Sequence, residues 1–220
     1  MKFSKISEIK KKILVVFDLF TMDENIVNLV KENENKYALD FPNLLNFYDD
    51  SEKNIDTWIR NCRVYLGELA KKYDEITLLG YSRGAILAGN CSTLPFIQKV
   101  ILIEPSYWYM EYQGEKKAFY SEKLNKILTD ENINTALFSI AYTKLINEFD
   151  GQIKQADAEI LILQKLDDYS IESKMMNRLY RYLNKQKVKL IQVGTEEQDF
   201  LLDEKTRNMM KLLINNFLGD

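Results

Sequence analysis

Ile76-Thr77-Leu78-Leu79-Gly80-Tyr81-Ser82-Arg83-Gly84-Ala85-Ile86-Leu87-Ala88 is the stretch that decides the fold. A short run of apolar and β-branched residues leads into Gly80-Tyr81-Ser82-Arg83-Gly84, a G-x-S-x-G sequence, and an apolar helix-forming run follows. Strand, sharp turn and helix in that order are the setting in which the central serine of this motif becomes chemically useful. The reason is steric. The serine sits on a tight turn with strained backbone angles, and the positions two residues to either side approach backbone too closely for any side chain, so glycine is required. The hydroxyl is pushed into a cleft above a helix N-terminus, whose free N–H groups can stabilise an oxyanion. With 8 glycines in the chain, a chance occurrence is on the order of one in a hundred. The plain alternative is a structural turn carrying a solvent-facing serine.

Outward from this unit, strands and helices alternate. Ile13-Leu14-Val15-Val16-Phe17 is apolar throughout and rich in β-branched residues, as expected of a strand buried on both faces. Residues 37–42 read as a second strand, ended by Pro42, which has no N–H for a ladder. Residues 76–79 are the third, 100–103 the fourth, 159–163 the fifth and 188–193 the sixth. Helical spacing occupies 23–34, 85–88, 171–186 and 203–218. The clearest helix is 52–72, with Ser51 as N-cap and Ile55, Trp58, Ile59, Cys62, Tyr65, Leu66 and Leu69 on one face. This alternation predicts an α/β fold, a mainly parallel sheet with helices on both faces. Residues 106–157 are too long for a plain connection. They are expected to form a small helical cap, with helices near 118–128 and 133–148, inserted into a core of residues 1–105 and 158–220.

Composition narrows the function. The chain has 220 residues with 30 Lys plus Arg against 33 Asp plus Glu, a net charge of −3, which argues against a nucleic-acid partner. It has no histidine, which removes the usual zinc sites and every Ser-His or Cys-His nucleophile pair. The two cysteines, Cys62 and Cys91, suit buried thiols in a reducing compartment. No apolar run is long enough for a membrane span and no signal peptide is evident, so a cytoplasmic protein is expected. Neither G-x-G-x-x-G nor G-x-x-x-x-G-K-[ST] occurs. No cofactor and no metal are expected. The pairs Asp49-Asp50 and Asp167-Asp168 are better explained as turn residues than as cation ligands.

With these residues in place, the chain resembles the α/β-hydrolase superfamily over most of its length. Ile13 to Phe20 looks like the strand leading to the family's oxyanion loop. Asp40-Phe41-Pro42 resembles its D-x-P strand end, and Val100 to Pro105 the strand after the nucleophile helix. The resemblance implies that Ser82 is the nucleophile and that the N–H groups of Arg83 and of Leu19, Phe20 or Thr21 form the oxyanion hole. It implies that Asp167, in Gln164-Lys165-Leu166-Asp167, is the acid, with Asp168 beside it as second choice and Glu104 as a less favoured substitute. Tyr81, Trp108, Tyr109 and Tyr112 are candidates to line a substrate pocket. The family's histidine falls in the loop after the last strand. Here that loop is Gly194-Thr195-Glu196-Glu197-Gln198-Asp199-Phe200, and Gln198 stands in the histidine's place, with one extra residue in the loop. A glutamine amide forms hydrogen bonds but does not titrate, so it cannot take a proton from serine.

Three functional readings follow. In the first, the chain is a serine esterase or thioesterase acting on acyl esters, with Glu197, Asp199 or Lys165 serving as an unusual base. In the second it is a pseudohydrolase whose pocket binds a small acyl-like ligand or a protein partner. In the third, glutamine at 198 was introduced into an active esterase.

Overall fold

The computed structural model describes residues 11–18, 24–43, 47, 56–106, 129, 134–166, 171–195 and 201–219. Six strands form one sheet: β1 (Lys12–Phe17), β2 (Ala38–Asp40), β3 (Glu75–Tyr81), β4 (Ile97–Ile103), β5 (Glu159–Lys165) and β6 (Val188–Val193). Their order is β2-β1-β3-β4-β5-β6 and every neighbouring pair is parallel. The helices are α1 (Glu24–Val30), α2 (Thr57–Ala70), α3 (Arg83–Asn90), α4 (Thr135–Gln155), α5 (Ile171–Tyr180) and α6 (Glu204–Leu218), and a 3-10 turn at Lys31–Asn35 follows α1.

The uninterrupted apolar runs of the strands are explained by two cores. Side chains alternate across a strand, so Ile13, Val15, Leu78, Val100, Leu102, Ile160 and Ile162 face one side. There they meet Trp58, Cys62 and Leu66 of α2, Ala85 to Ala88 of α3, Phe138, Tyr142, Leu145 and Phe149 of α4, and Met176 of α5. Leu14, Val16, Leu79, Ile101, Ile103, Leu161 and Leu163 face the other side, against Ile26 and Leu29 of α1 and Met210, Ile214 and Phe217 of α6. Helix α4 lies within the 106–157 stretch, and its buried side chains share one cluster with the sheet and α3. Asn90 of α3 ties the two helices by donating to the Leu145 carbonyl at 2.8 Å.

Several boundaries differ from the sequence reading. The α-helix expected over 52–72 spans Thr57–Ala70. Asp56 stands at its N-cap without a side-chain cap bond, and Ser51 and 52–55 lie outside the described residues. The helix expected to stop at 148 runs to Gln155, because Phe149 and Ile153 continue its buried stripe. Asn134 caps its start by accepting from the N–H groups of Ala136 and Leu137, both at 3.1 Å. The helix expected over 171–186 ends at Tyr180. Beyond it, i to i+3 bonds carry the chain through Arg181, Tyr182 and Leu183, and Asn184 accepts from the N–H groups of Gln186, Lys187 and Val188. Leu183 remains buried in that turn, so the apolar periodicity outlasts the helix. The helix expected near 118–128 lies outside the described residues.

The chain steps from β1 outward to β2, crosses back to β3 on the other side of β1, and then moves steadily away through β4, β5 and β6. That reversal opens a crevice at the carboxyl ends of β1 and β3, the place where open α/β sheets bind ligands.

Candidate functional site

Ser82 stands at this crevice, between Tyr81, the last residue of β3, and Arg83, the first of α3. Its backbone lies at φ 51° and ψ −112°, and Glu104 at φ 47° is the other non-glycine residue with positive φ among the described residues. Holding an L-residue in such a conformation costs on the order of 1–3 kcal/mol, and its surroundings enforce it. A Cβ on Gly80 would stand 2.4 Å from Ala85 Cα, and one on Gly84 would stand 2.2 Å from the Phe17 carbonyl oxygen. Both obstacles are backbone atoms, so neither can rotate away. The start of α3 is thus wedged between the end of β3 and the end of β1. This is the close approach for which the motif's spacing reserves glycine.

The turn is fixed to its neighbour as well. Ser82 N–H donates to the Ile103 carbonyl at 2.9 Å, and Ser106 N–H donates to the Ser82 carbonyl at 3.2 Å. Pro105, between the two bonding positions of this extension, has no N–H to satisfy. The Ser82 hydroxyl makes no cap bond to α3. Its Oγ lies 3.1 Å from Ser106 Oγ, and Ser106 carries a further restraint, since the Tyr142 hydroxyl of α4 donates to its carbonyl at 3.3 Å.

Glu104 is directed away from Ser82. Its N–H donates to the Leu163 carbonyl of β5 at 2.9 Å, and its carboxylate accepts from the Lys165 backbone N–H and, at 3.2 Å, from the Gln164 amide. Gln164 is only 3 % exposed, and its Oε1 has no hydrogen-bond partner among the described residues. Glu104 therefore clamps the kinked end of β4 to β5, which argues against its serving as the acid beside Ser82.

Arg83 is half-buried and opens α3. Tyr81 is half-buried and packs against the α1/α6 side of the sheet. Asp18 follows β1 and pairs with Asn43 in an isolated parallel bridge beyond β2. Nearby, the Asp40 carboxylate accepts from the Tyr65 hydroxyl of α2. Burial first, and then this bond, push the Tyr65 phenol well above its ordinary range. Leu19, Phe20, Thr21, Trp108, Tyr109, Tyr112, Asp167, Asp168, Glu197, Gln198 and Asp199 lie outside the described residues.

Sequence reasoning overlooked Ser106. A serine after a strand and a proline carries no signal of its own. Only the kink at Glu104 and the extension of the β3–β4 pairing bring it to Ser82. Among the described residues no group of His, Cys, Asp and Glu is arranged to hold a metal, and no helix is long and apolar enough to cross a membrane. Two surface grooves, one between α1 and α6 and one between α2 and α4, lie apart from Ser82.

The chain has the α/β-hydrolase fold. It is similar to a monoacylglycerol lipase from Paleococcus ferrophilus, at 11% identity, with a TM-score of 0.67 over 95% of this chain and 94% of that one. It is similar to MGS-MChE2, an alpha/beta hydrolase enzyme from a lagoon-sediment metagenome, at 15% identity, with a TM-score of 0.66 over 94% and 90%. A third similar structure is Est1E from Butyrivibrio proteoclasticus, at 14% identity, with a TM-score of 0.63 over 98% and 92%. No family model matches the sequence, and no curated protein matches it either.

Proposed function

We propose that this protein is a serine hydrolase-type protein directed at acyl esters or thioesters, with Ser82 as the nucleophile. The observation that carries the reading is the backbone of Ser82, held at φ 51° by two glycines that backbone atoms of Ala85 and Phe17 crowd. In this reading the N–H of Arg83 and that of Leu19 or Phe20 receive the oxyanion of the tetrahedral intermediate. Asp167 is the acid, and Gln198 occupies the place of the imidazole. Tyr81, Trp108, Tyr109 and Tyr112 border the acyl group, and residues 106–157 cover the site. The monoacylglycerol lipase among the structural neighbours is consistent with an acyl substrate. The protein is read as cytoplasmic.

The chemistry is slow by construction. With no histidine in the chain, the serine proton leaves without an imidazole to receive it, and general-base assistance of this kind is worth about 10²–10⁴ in rate. The same absence favours a second reading, in which the pocket holds an acyl-like ligand or a protein partner without turning it over. Hydrolysis of p-nitrophenyl acetate separates the two. The native chain is expected to release p-nitrophenol faster than buffer, and Ser82→Ala is expected to abolish the excess. Equal rates for the native chain and Ser82→Ala, with both folded, would leave the binding reading in its place.

A further inference from the structure

The end of β4 is built more elaborately than a strand-to-loop connection requires. Glu104 adopts a positive φ, its carboxylate is held by the Lys165 N–H and the Gln164 amide of β5, and Ser106 two residues later is held at both backbone atoms. The Ser106 N–H goes to Ser82 and its carbonyl to Tyr142 of α4. Three elements therefore fix one short turn, and the group the turn delivers is a hydroxyl, 3.1 Å from Ser82 Oγ. Ser106 Oγ forms no other hydrogen bond among the described residues that would account for this placement.

Resting on the reading of Ser82 as nucleophile, we propose that Ser106 is a positioning residue for it, its hydroxyl donating to Ser82 Oγ and fixing the rotamer from which Ser82 attacks. A histidine does this in other serine hydrolases by accepting the serine proton. A second hydroxyl cannot serve as that base. It can hold the oxygen in place and donate to it as the proton departs and negative charge develops, when a hydrogen bond is stronger than in the neutral pair. In the reaction with a fluorophosphonate, Ser82 Oγ forms a bond to phosphorus, the phosphorus–fluorine bond breaks, fluoride leaves, and the serine proton passes to water. Ser106 keeps its own proton throughout. Both hydrogen bonds that hold Ser106 in place belong to its backbone, so replacing its side chain removes the contact with Ser82 and leaves the turn tied.

The test is the rate at which a fluorophosphonate modifies Ser82 in the native chain, Ser106→Ala and Ser106→Thr, with the thermal midpoint of each. If the native chain reacts too slowly to measure, the same three are compared in a Gln198→His background. Ser106→Ala is expected to lower the limiting rate about tenfold at an unchanged half-saturating probe concentration and midpoint. Ser106→Thr, which restores the hydroxyl, is expected to recover most of the loss. Native-like labelling in Ser106→Ala overturns the proposal and leaves Ser82 as nucleophile. A loss that follows a lowered midpoint and that threonine does not repair overturns it too, because the role is then structural. No labelling of Ser82 in either background removes the nucleophile reading, and this proposal with it.

Discussion

Replacing Gln198 with histidine is expected to raise hydrolysis of p-nitrophenyl acetate about 10²–10⁴-fold, the ordinary worth of a positioned general base. The increase follows from what the amide lacks. Glutamine donates and accepts hydrogen bonds but has no titration near neutral pH, whereas imidazole ionises near pH 6.5. The sign of the pH dependence is fixed by the role. A base must be unprotonated to accept the serine proton, so the new activity is low below about pH 6.5 and levels off above it. The native chain, with no histidine to titrate, shows no such inflection. Adding Asp167→Asn to Gln198→His is expected to remove most of the gain, since the acid holds the imidazole in its working tautomer. Steady-state rates between pH 5 and 9 check all three statements. A folded Gln198→His variant with native activity would place position 198 out of reach of Ser82.

Gly84→Ala is expected to destabilise the protein by about 3 kcal/mol or more, at the upper end of what an added methyl costs in a packed interior. The new Cβ would stand 2.2 Å from the Phe17 carbonyl oxygen and 2.6 Å from its carbon. Relief requires moving α3 away from β1, and Ser82 moves with the helix it precedes. In a chain of this length such a loss lowers the thermal midpoint by about 6–12 °C, and Ser82 labelling falls with it. Gly67→Ala supplies the contrast. Gly67 lies within α2, and nothing stands within 4 Å of a Cβ placed there. Alanine is favoured over glycine in a helix by up to about 1 kcal/mol, so this variant is expected to be as stable as the native chain or more so. Urea unfolding at constant m-value compares the two glycines directly.

The sheet was legible because its four inner strands, β1, β3, β4 and β5, carry runs buried on both faces. Runs such as Ile13 to Phe17 and Val100 to Ile103 leave no other economical arrangement, and the structure places their alternate side chains in two separate cores. The turn around Ser82 was legible for a different reason. Its two glycines answer to a spacing requirement that sequence displays, and the backbone contacts at Gly80 and Gly84 are the physical content of that spacing. Helix ends were read less well where packing and backbone part company. Leu183 keeps the helical period although Asn184 has already organised a turn, while Phe149 and Ile153 extend α4 beyond the expected stop. Ser106 was illegible. Its meeting with Ser82 depends on the positive φ of Glu104 and on a carboxylate turned toward β5, and neither leaves a trace in residue spacing. Glu104 itself carries the opposite lesson, for a carboxylate at a strand end suggests an acid and the structure uses it as a clamp.

The most direct measurement is peptide mass spectrometry of the native chain after prolonged exposure to a fluorophosphonate. A nucleophile held at the end of β3 yields one adduct, on the peptide that contains Ser82. An adduct on another residue, or a folded chain left unmodified both as the native protein and as Gln198→His, would contradict the assignment of Ser82 as the reacting group.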